Sequence, residues 1–229
     1  MKKTLGTGLF ILVFVAVGFN QTVRKYSNEF LQIGVGARGL AMSNAQVATT
    51  ADVYSNYYNP AGLVNIPNTF QVGIMHSEYF AGIAKYDYGT LAIPVQDNKR
   101  TVGFSVLRFA VDDIPNTLFL VEPDGSINYD NIQSFSSADY AFLFSFAQQY
   151  KEVNHHKISI GANAKVIYRK VGTFANAWGF GLDAGAQYEK GKWLFGLMAK
   201  DITSTFNAWN FSLSDKMKET FAVTGNEIP

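Results

Sequence analysis

Between Trp178 and Tyr188 the chain alternates strictly: Trp178, Phe180, Leu182, Ala184, Ala186 and Tyr188 take the even positions, and Gly179, Gly181, Asp183, Gly185 and Gln187 the odd ones. A strand sends successive side chains to opposite faces, so this stretch predicts a ribbon with one bulky apolar face and one small or polar face. The same period recurs upstream. Ile158, Ile160, Ala162, Ala164, Val166 and Tyr168 alternate with Lys157, Ser159, Gly161, Asn163, Lys165 and Arg169. Tyr140, Phe142, Phe144 and Phe146 oppose Asp139, Ala141, Leu143, Ser145 and Ala147, and Ala84, Tyr86, Tyr88 and Ala92 oppose Lys85, Asp87 and Gly89. Strands are expected over 70–78, 82–94, 100–109, 137–150, 156–170, 177–189 and 192–201.

Most of these run roughly 10 to 15 residues, longer than the five or six usual in globular proteins and enough for the ~9–11 of a tilted membrane strand. The connections after the second, fourth and sixth strands are short, whereas Val111 to Ser136 is long and rich in Asp, Asn, Pro and Gly. Uneven rims and aromatics near strand ends (Tyr150, Tyr168, Trp178, Tyr188, Trp193) suit a transmembrane barrel. The predicted fold class is therefore all-β, a transmembrane antiparallel β-barrel. Phe142, Phe144, Ile158, Ile160, Phe180 and Leu182 are expected to face lipid, and Lys85, Asp87, Lys165 and Asp183 to face the lumen, because charge on the lipid side costs several kcal/mol. On this assignment Leu182→Arg should be far more damaging than Asp183→Asn. A soluble secreted β-sandwich, with the greasy faces packed in a protein core, is the rival.

Composition sharpens the choice. Charged residues make up 16% of the 229 and aromatics 15%, an imbalance that suits a surface not bathed wholly in water. The net charge of +1 gives no bulk attraction to nucleic acid. No cysteine is present, which removes disulfides, thiolate metal sites, a cysteine nucleophile and a lipoprotein anchor. Lys2 and Lys3 precede the apolar run "LGTGLFILVFVAVGF", and Ala16 and Gly18 supply small residues, so 1–18 reads as an export signal peptide. No other run is long enough for a spanning helix.

The segment "NEFLQIGVGARGLAMSNAQVATTADVYSNYYNPAGLV", residues 28–64, resembles the N-terminal signature of the PorV/PorQ family, relatives of the FadL-like outer-membrane barrels. The likeness continues through "SADYAFLFSFAQQY", "ISIGANAKVIY", "GFGLDAGAQY" and "LFGLMAKDITSTFNAWNF". It implies a fourteen-stranded barrel with an N-terminal lumen hatch, of which about seven strands lie here. The implied organisation is a hatch over 19–68 and the N-terminal half of the barrel over 69–229. The chain ends at "TGNEIP" with no closing aromatic strand, so C-terminal truncation is expected, or closure by several chains. The resemblance implies a place in type IX protein secretion in Bacteroidetes-like bacteria, binding secreted cargo or the translocon at the outer membrane. The alternative it implies is FadL-like transport of small hydrophobic molecules. The hatch would include Gly34, Gly36, Arg38 and Gly39, with Asn59, Pro60, Ala61 and Gly62 forming its last turn before the first strand.

Other signals are weaker. "GVGARG" satisfies G-x-G-x-x-G but lacks the flanking strand and helix of a dinucleotide fold. Its glycines are expected to let the hatch pass close to the wall, and Arg38 to pair with Asp87 or Asp183. His155 and His156 sit in an expected solvated turn, with His76 remote, and Asp112 and Asp113 lack a ligand-spaced loop. No cofactor, metal or enzymatic activity is expected.

Overall fold

The computed structural model describes residues 28–67, 69–95, 99–122, 124–153, 156–203 and 206–223. The expected leader, 1–18, and His155 lie outside them. The chain is mostly antiparallel β-sheet, curled into a half barrel. The strands are β1 (Gln71–Tyr79), β2 (Ala84–Val95), β3 (Arg100–Asn116), β4 (Gln133–Val153), β5 (His156–Val171), β6 (Ala175–Lys190), β7 (Trp193–Ala199) and β8 (Phe206–Phe211). They follow one another as a meander from β1 to β7, and β8 pairs with the remaining length of the same edge of β6.

β7 pairs with Ala184–Lys190 and β8 with Ala175–Phe180, so together they form one long edge interrupted opposite Gly181–Asp183. Sequence alternation missed β8, in which Trp209 and Phe211 lie on one side while Ala208 and Asn210 lie on the other. β3 and β4 run past their expected ends because their hairpin continues beyond a bulge between Val111 and Ile114, with Asp113 at φ 56. The other connections on that rim, residues 80–83 and 172–174, are short. The unevenness of that rim thus rests on a single hairpin.

Residues 28–67 lie against one face of the sheet, here called the inner face. They form only short helical turns at Glu29–Gln32, Ala37–Ala41, Ser55–Tyr58 and Pro60–Asn65. Two buried clusters sit between this segment and the strands. One joins Phe30, Val35, Tyr57 and Tyr58 to Tyr86, Tyr88, Leu107, Leu143 and Ile167; the other joins Val53, Leu63, Val64 and Ile66 to Ala92 and Ala147. The core is therefore the contact between the segment 28–67, called the plug below, and the inner face. Among the described residues no helix is long and apolar enough to cross a membrane.

Candidate functional site: the plug seat and the outer face

The inner face is built from small residues where the plug comes closest. Gly73, Gly103, Gly161, Gly185 and Gly196 all point inward, and a methyl group at any of them would collide with the plug. At Gly161 it would stand 2.5 Å from the Ala61 nitrogen, and at Gly196 2.5 Å from the Val47 carbonyl oxygen. At Gly103 and Gly185 it would overlap the side-chain oxygens of Asn56 and Asn59. Glycine inside a strand weakens it unless another backbone approaches closely, which is the case here.

Polar side chains then fasten the plug. Asn59 caps the Pro60–Asn65 turn by accepting from the Ala61 N–H at 3.1 Å, and its amide donates to the carbonyls of Val47 at 2.8 Å and Ala186 at 3.1 Å. A proline in the first turn with an asparagine before it is a well-formed helix start. Asn56 donates to Thr90 at 2.7 Å, Asn163 donates to the Asn56 carbonyl at 2.9 Å, and Gln187 donates to the carbonyls of Val47 and Thr50, each at 3.1 Å. The turn Asn59, Pro60, Ala61 and Gly62 thus lies at the end of the plug against β4, β5 and β6.

The glycines of "GVGARG" act mainly within the plug. Gly34 and Gly36 have φ of 103 and 73, and a methyl at Gly39 would overlap the Tyr58 hydroxyl. Gly36 reaches the wall, donating its N–H to the Met75 sulfur at 3.0 Å. The expected close passage along the wall therefore falls to Ala61 and Val47 instead. Two plug tyrosines brace this region. Tyr57 donates to the Leu31 carbonyl at 2.6 Å and accepts from the Gly34 N–H at 3.1 Å. The Tyr58 hydroxyl lies 2.8 Å from the Val35 carbonyl oxygen and accepts from the Val35 N–H at 3.1 Å. Burial raises the pKa of both phenols, that of Tyr57 well above its ordinary value.

The expected lumen-facing set divides. Lys165 and Asp183 are inward and buried, with side chains 3% and 4% exposed and 2.8 Å apart. Asp201, from the segment between β7 and β8, joins them: its carboxylate accepts from Lys165 at 2.6 Å and its N–H donates to Asp183 at 2.8 Å. Lys85 and Asp87 lie on the opposite, outer face, which corrects the expectation. Tyr86 and Tyr88 turn inward in their place, because phenol rings fill the space over the plug while their hydroxyls reach Phe30 at 3.0 Å and Ser105 at 2.9 Å. On the outer face Asp87 pairs with His76 at 2.7 Å and Arg108 at 2.9 Å, and Lys85 with Asp112 at 2.8 Å. Arg38 is exposed and makes neither expected pair, since both acids already have other partners.

Phe144, Ile160, Phe180 and Leu182 are exposed on that outer face, the last two 56% and 48%, and Phe142 and Ile158 are half-buried there. The register extends the apolar surface across the sheet: Leu91, Phe104, Phe144, Ala164 and Leu182 form one row. The next rim-ward rows culminate in Asp87, Arg108, Tyr140, Tyr168 and Trp178. An aromatic line on β4–β6 thus continues as an ionic line on β2–β3. His156 stacks on Tyr188 and bonds its hydroxyl at 2.6 Å. Among the described residues no group of three or more His, Cys, Asp or Glu side chains could hold a metal ion.

No model of a known protein family matches the chain, and no curated protein matches it.

Gly161→Val should unseat the plug, costing about 1–3 kcal/mol for overpacking against backbone. A cysteine at Ala61, unique in this cysteine-free chain, should be silent to a water-soluble maleimide alone and reactive when combined with that valine. The buried ion pair changes the ranking expected from the sequence. Lys165→Met should cost about 3–5 kcal/mol by leaving Asp183 buried without its cation, and Asp183→Asn is no longer a mild change. A double-mutant cycle in urea should show the Lys165→Met/Asp183→Leu pair losing clearly less than the sum of its singles. The raised phenol pKa of Tyr57 predicts a stability contribution that is complete below the unfolded value of about 10 and is lost as pH rises toward the folded value. Absorbance at 295 nm should show Tyr57 ionising only with release of the plug, and Tyr57→Phe should shrink the late alkaline component by one tyrosine, the rest coming from the buried Tyr58, Tyr86 and Tyr88.

Proposed function

We propose that the chain forms wall and plug of an outer-membrane β-barrel of the PorV/PorQ type, acting in type IX secretion by binding cargo or translocon. What supports the membrane part is the sorting of faces: the plug covers the large side chains of the inner face, Tyr86, Tyr88, Leu107, Leu143 and Ile167, together with small and polar ones, while Phe144, Ile160, Phe180 and Leu182 stand exposed on the other side. A soluble sandwich would need a second sheet over those side chains, and none of the described residues supplies one. Dimensions agree. Trp178 and Tyr188 lie on the same outer face at the two ends of β6, and the ten steps between them span roughly 25 Å at a ~40° tilt, the height of a barrel's apolar band. The secretion role rests on the resemblance of residues 28–64 and of the strand motifs.

Transport of a small hydrophobic molecule is the second reading, favoured by one observation. A cavity of about 350 Å³ lies beside the plug, lined by Gln32, Asn44, Tyr57, Tyr58, Met198 and Lys200. The Lys200 ammonium sits 4.8 Å from the centre of the Tyr57 ring.

Single cysteines at Leu182 and Ile160, both exposed on the outer face, carrying a lipid-phase fluorophore test the wall. In vesicles with brominated acyl chains both probes should be quenched. Leu182→Arg should cost about 2–4 kcal/mol if the site lies near mid-bilayer. Absence of quenching at both positions, or a detergent-free monodisperse protein, removes the barrel. Deletion in the host then separates the roles: loss of export of proteins bearing a C-terminal sorting signal supports secretion, and loss of apolar nutrient uptake alone supports transport.

A further inference from the structure

The β3–β4 connection is the one long connection on its rim, and its described residues form a hydrogen-bonded lobe. Beyond the bulge, Ile114, Pro115 and Asn116 pair with Phe135, Ser134 and Gln133. At the tip Val121 bridges Ile127, the Glu122 N–H donates to the Ser126 carbonyl at 2.9 Å, and the Asn128 N–H donates to the Leu120 carbonyl at 2.9 Å. Asn131 clamps the interior, donating to the Phe119 carbonyl at 2.9 Å and to the Glu122 carboxylate at 2.8 Å. Its base packs on the next turn through Phe135 and Phe174, whose rings are 5.0 Å apart.

A lobe this well bonded still leaves large apolar groups in the open. Val121, Ile127 and Tyr129 are 63%, 59% and 71% exposed, and Val121 and Ile127, bridged directly, share a face. The flanking turns are too short to cover them. Charge is one-sided as well: residues 110–150 contain no Lys, Arg or His. Asp113, Glu122, Asp124 and Asp130 have no cation paired with them among the described residues. An anionic lipid surface would be repelled by such a lobe, whereas a chain that brings its own cations gains both contact area and on-rate.

We infer that this hairpin lobe is a docking surface for a basic, apolar segment of another protein. The ordered backbone means that little conformational entropy is lost on the lobe's side when the partner binds. Val121, Ile127 and Tyr129 supply the anchoring contact, and the surrounding acids select the partner's charge. The inference goes beyond the barrel reading and stands on the hairpin alone.

Fluorescence anisotropy with the full chain in an uncharged detergent tests it, using a peptide of alternating lysine and valine and its glutamate–valine counterpart. The lysine peptide should bind and weaken about tenfold from low to high salt, and the glutamate peptide should not bind. Combined Val121→Ser, Ile127→Ser and Tyr129→Ser should weaken the lysine peptide about tenfold or more. Slow hydrogen exchange at the Glu122 and Asn128 amides reports whether the hairpin survives; if it does not, Asp130→Lys alone decides, with a severalfold loss expected. Equal binding of the two peptides, or undiminished binding by the variant that keeps its hairpin, overturns the inference. The lipid-probe result at Leu182 is independent of either outcome.

Discussion

The plug can lie against the sheet only because the strand positions beneath it carry hydrogens where other residues carry Cβ atoms. With backbone atoms of Ala61 and Val47 within 2.5 Å of where a methyl would stand at Gly161 and Gly196, even alanine there would push the two layers apart. That separation would lengthen the bonds by which Asn59 ties Val47 to Ala186, and would pull Gln187 from the two carbonyls it serves. The hydrogen bonds depend on the close approach, and the close approach depends on the glycines. Strand-interior glycine is unfavourable in isolation, so the sheet gains its stability here from the contact it permits.

The same approach decides where charge can go. Where the plug fills the space over β3–β6, an inward ionic group is shielded from solvent and finds its partner in protein. Lys165 does so twice, through Asp183 and Asp201, and the interruption between β7 and β8 exists at the place where Asp201 reaches it. Nearer the rim, on β1–β3, the inner face is occupied by Tyr79, Tyr86 and Tyr88 around the plug's aromatic residues, and charge is displaced outward. The outer ion pairs of Asp87 and Lys85 are partly exposed, so each contributes little to stability, and their significance is positional: they continue the line on which Tyr140, Tyr168 and Trp178 end the apolar surface.

Much of this was legible in the sequence, and the exceptions have reasons. β4, β5 and β6 could be read to the face, because Gly, Ser and Asn recur on one side and Phe, Ile and Leu dominate the other, with Leu143 and Ile167 as the large exceptions that pack on the plug. β2 could not. Tyrosine is both large and polar, so "AKYDY" alternates equally well either way round, and only the plug's position shows that the phenols go inward. The seats at Gly73, Gly103, Gly161, Gly185 and Gly196 had a usable signal in glycine recurring at same-face strand positions, although nothing local said which plug residue each receives. The Lys165–Asp183–Asp201 cluster had none. Lys165 stands opposite Gly181 and Asn163 opposite Asp183, so the pair is diagonal, and Asp201 arrives by way of an interruption that alternation does not encode.

The edges of the sheet bear on how such a wall would be completed. Among the described residues nothing pairs with the far edge of β1 or of β7 and β8. In water these edges are tolerable; in hydrocarbon every unpaired N–H and C=O on them costs several kcal/mol, so the proposed reading requires both to be covered. The meander has seven strands in sequence order, so β1 and β7 run the same way. Two copies related by an axis along the barrel would then meet at parallel seams, and copies related by a perpendicular axis would place their long hairpins on opposite sides of the membrane. An odd number of further antiparallel strands avoids both problems: each seam becomes antiparallel and the total becomes even, as in single-chain bacterial barrels. Within the proposed reading, strand parity therefore disfavours closure by two identical copies about either axis.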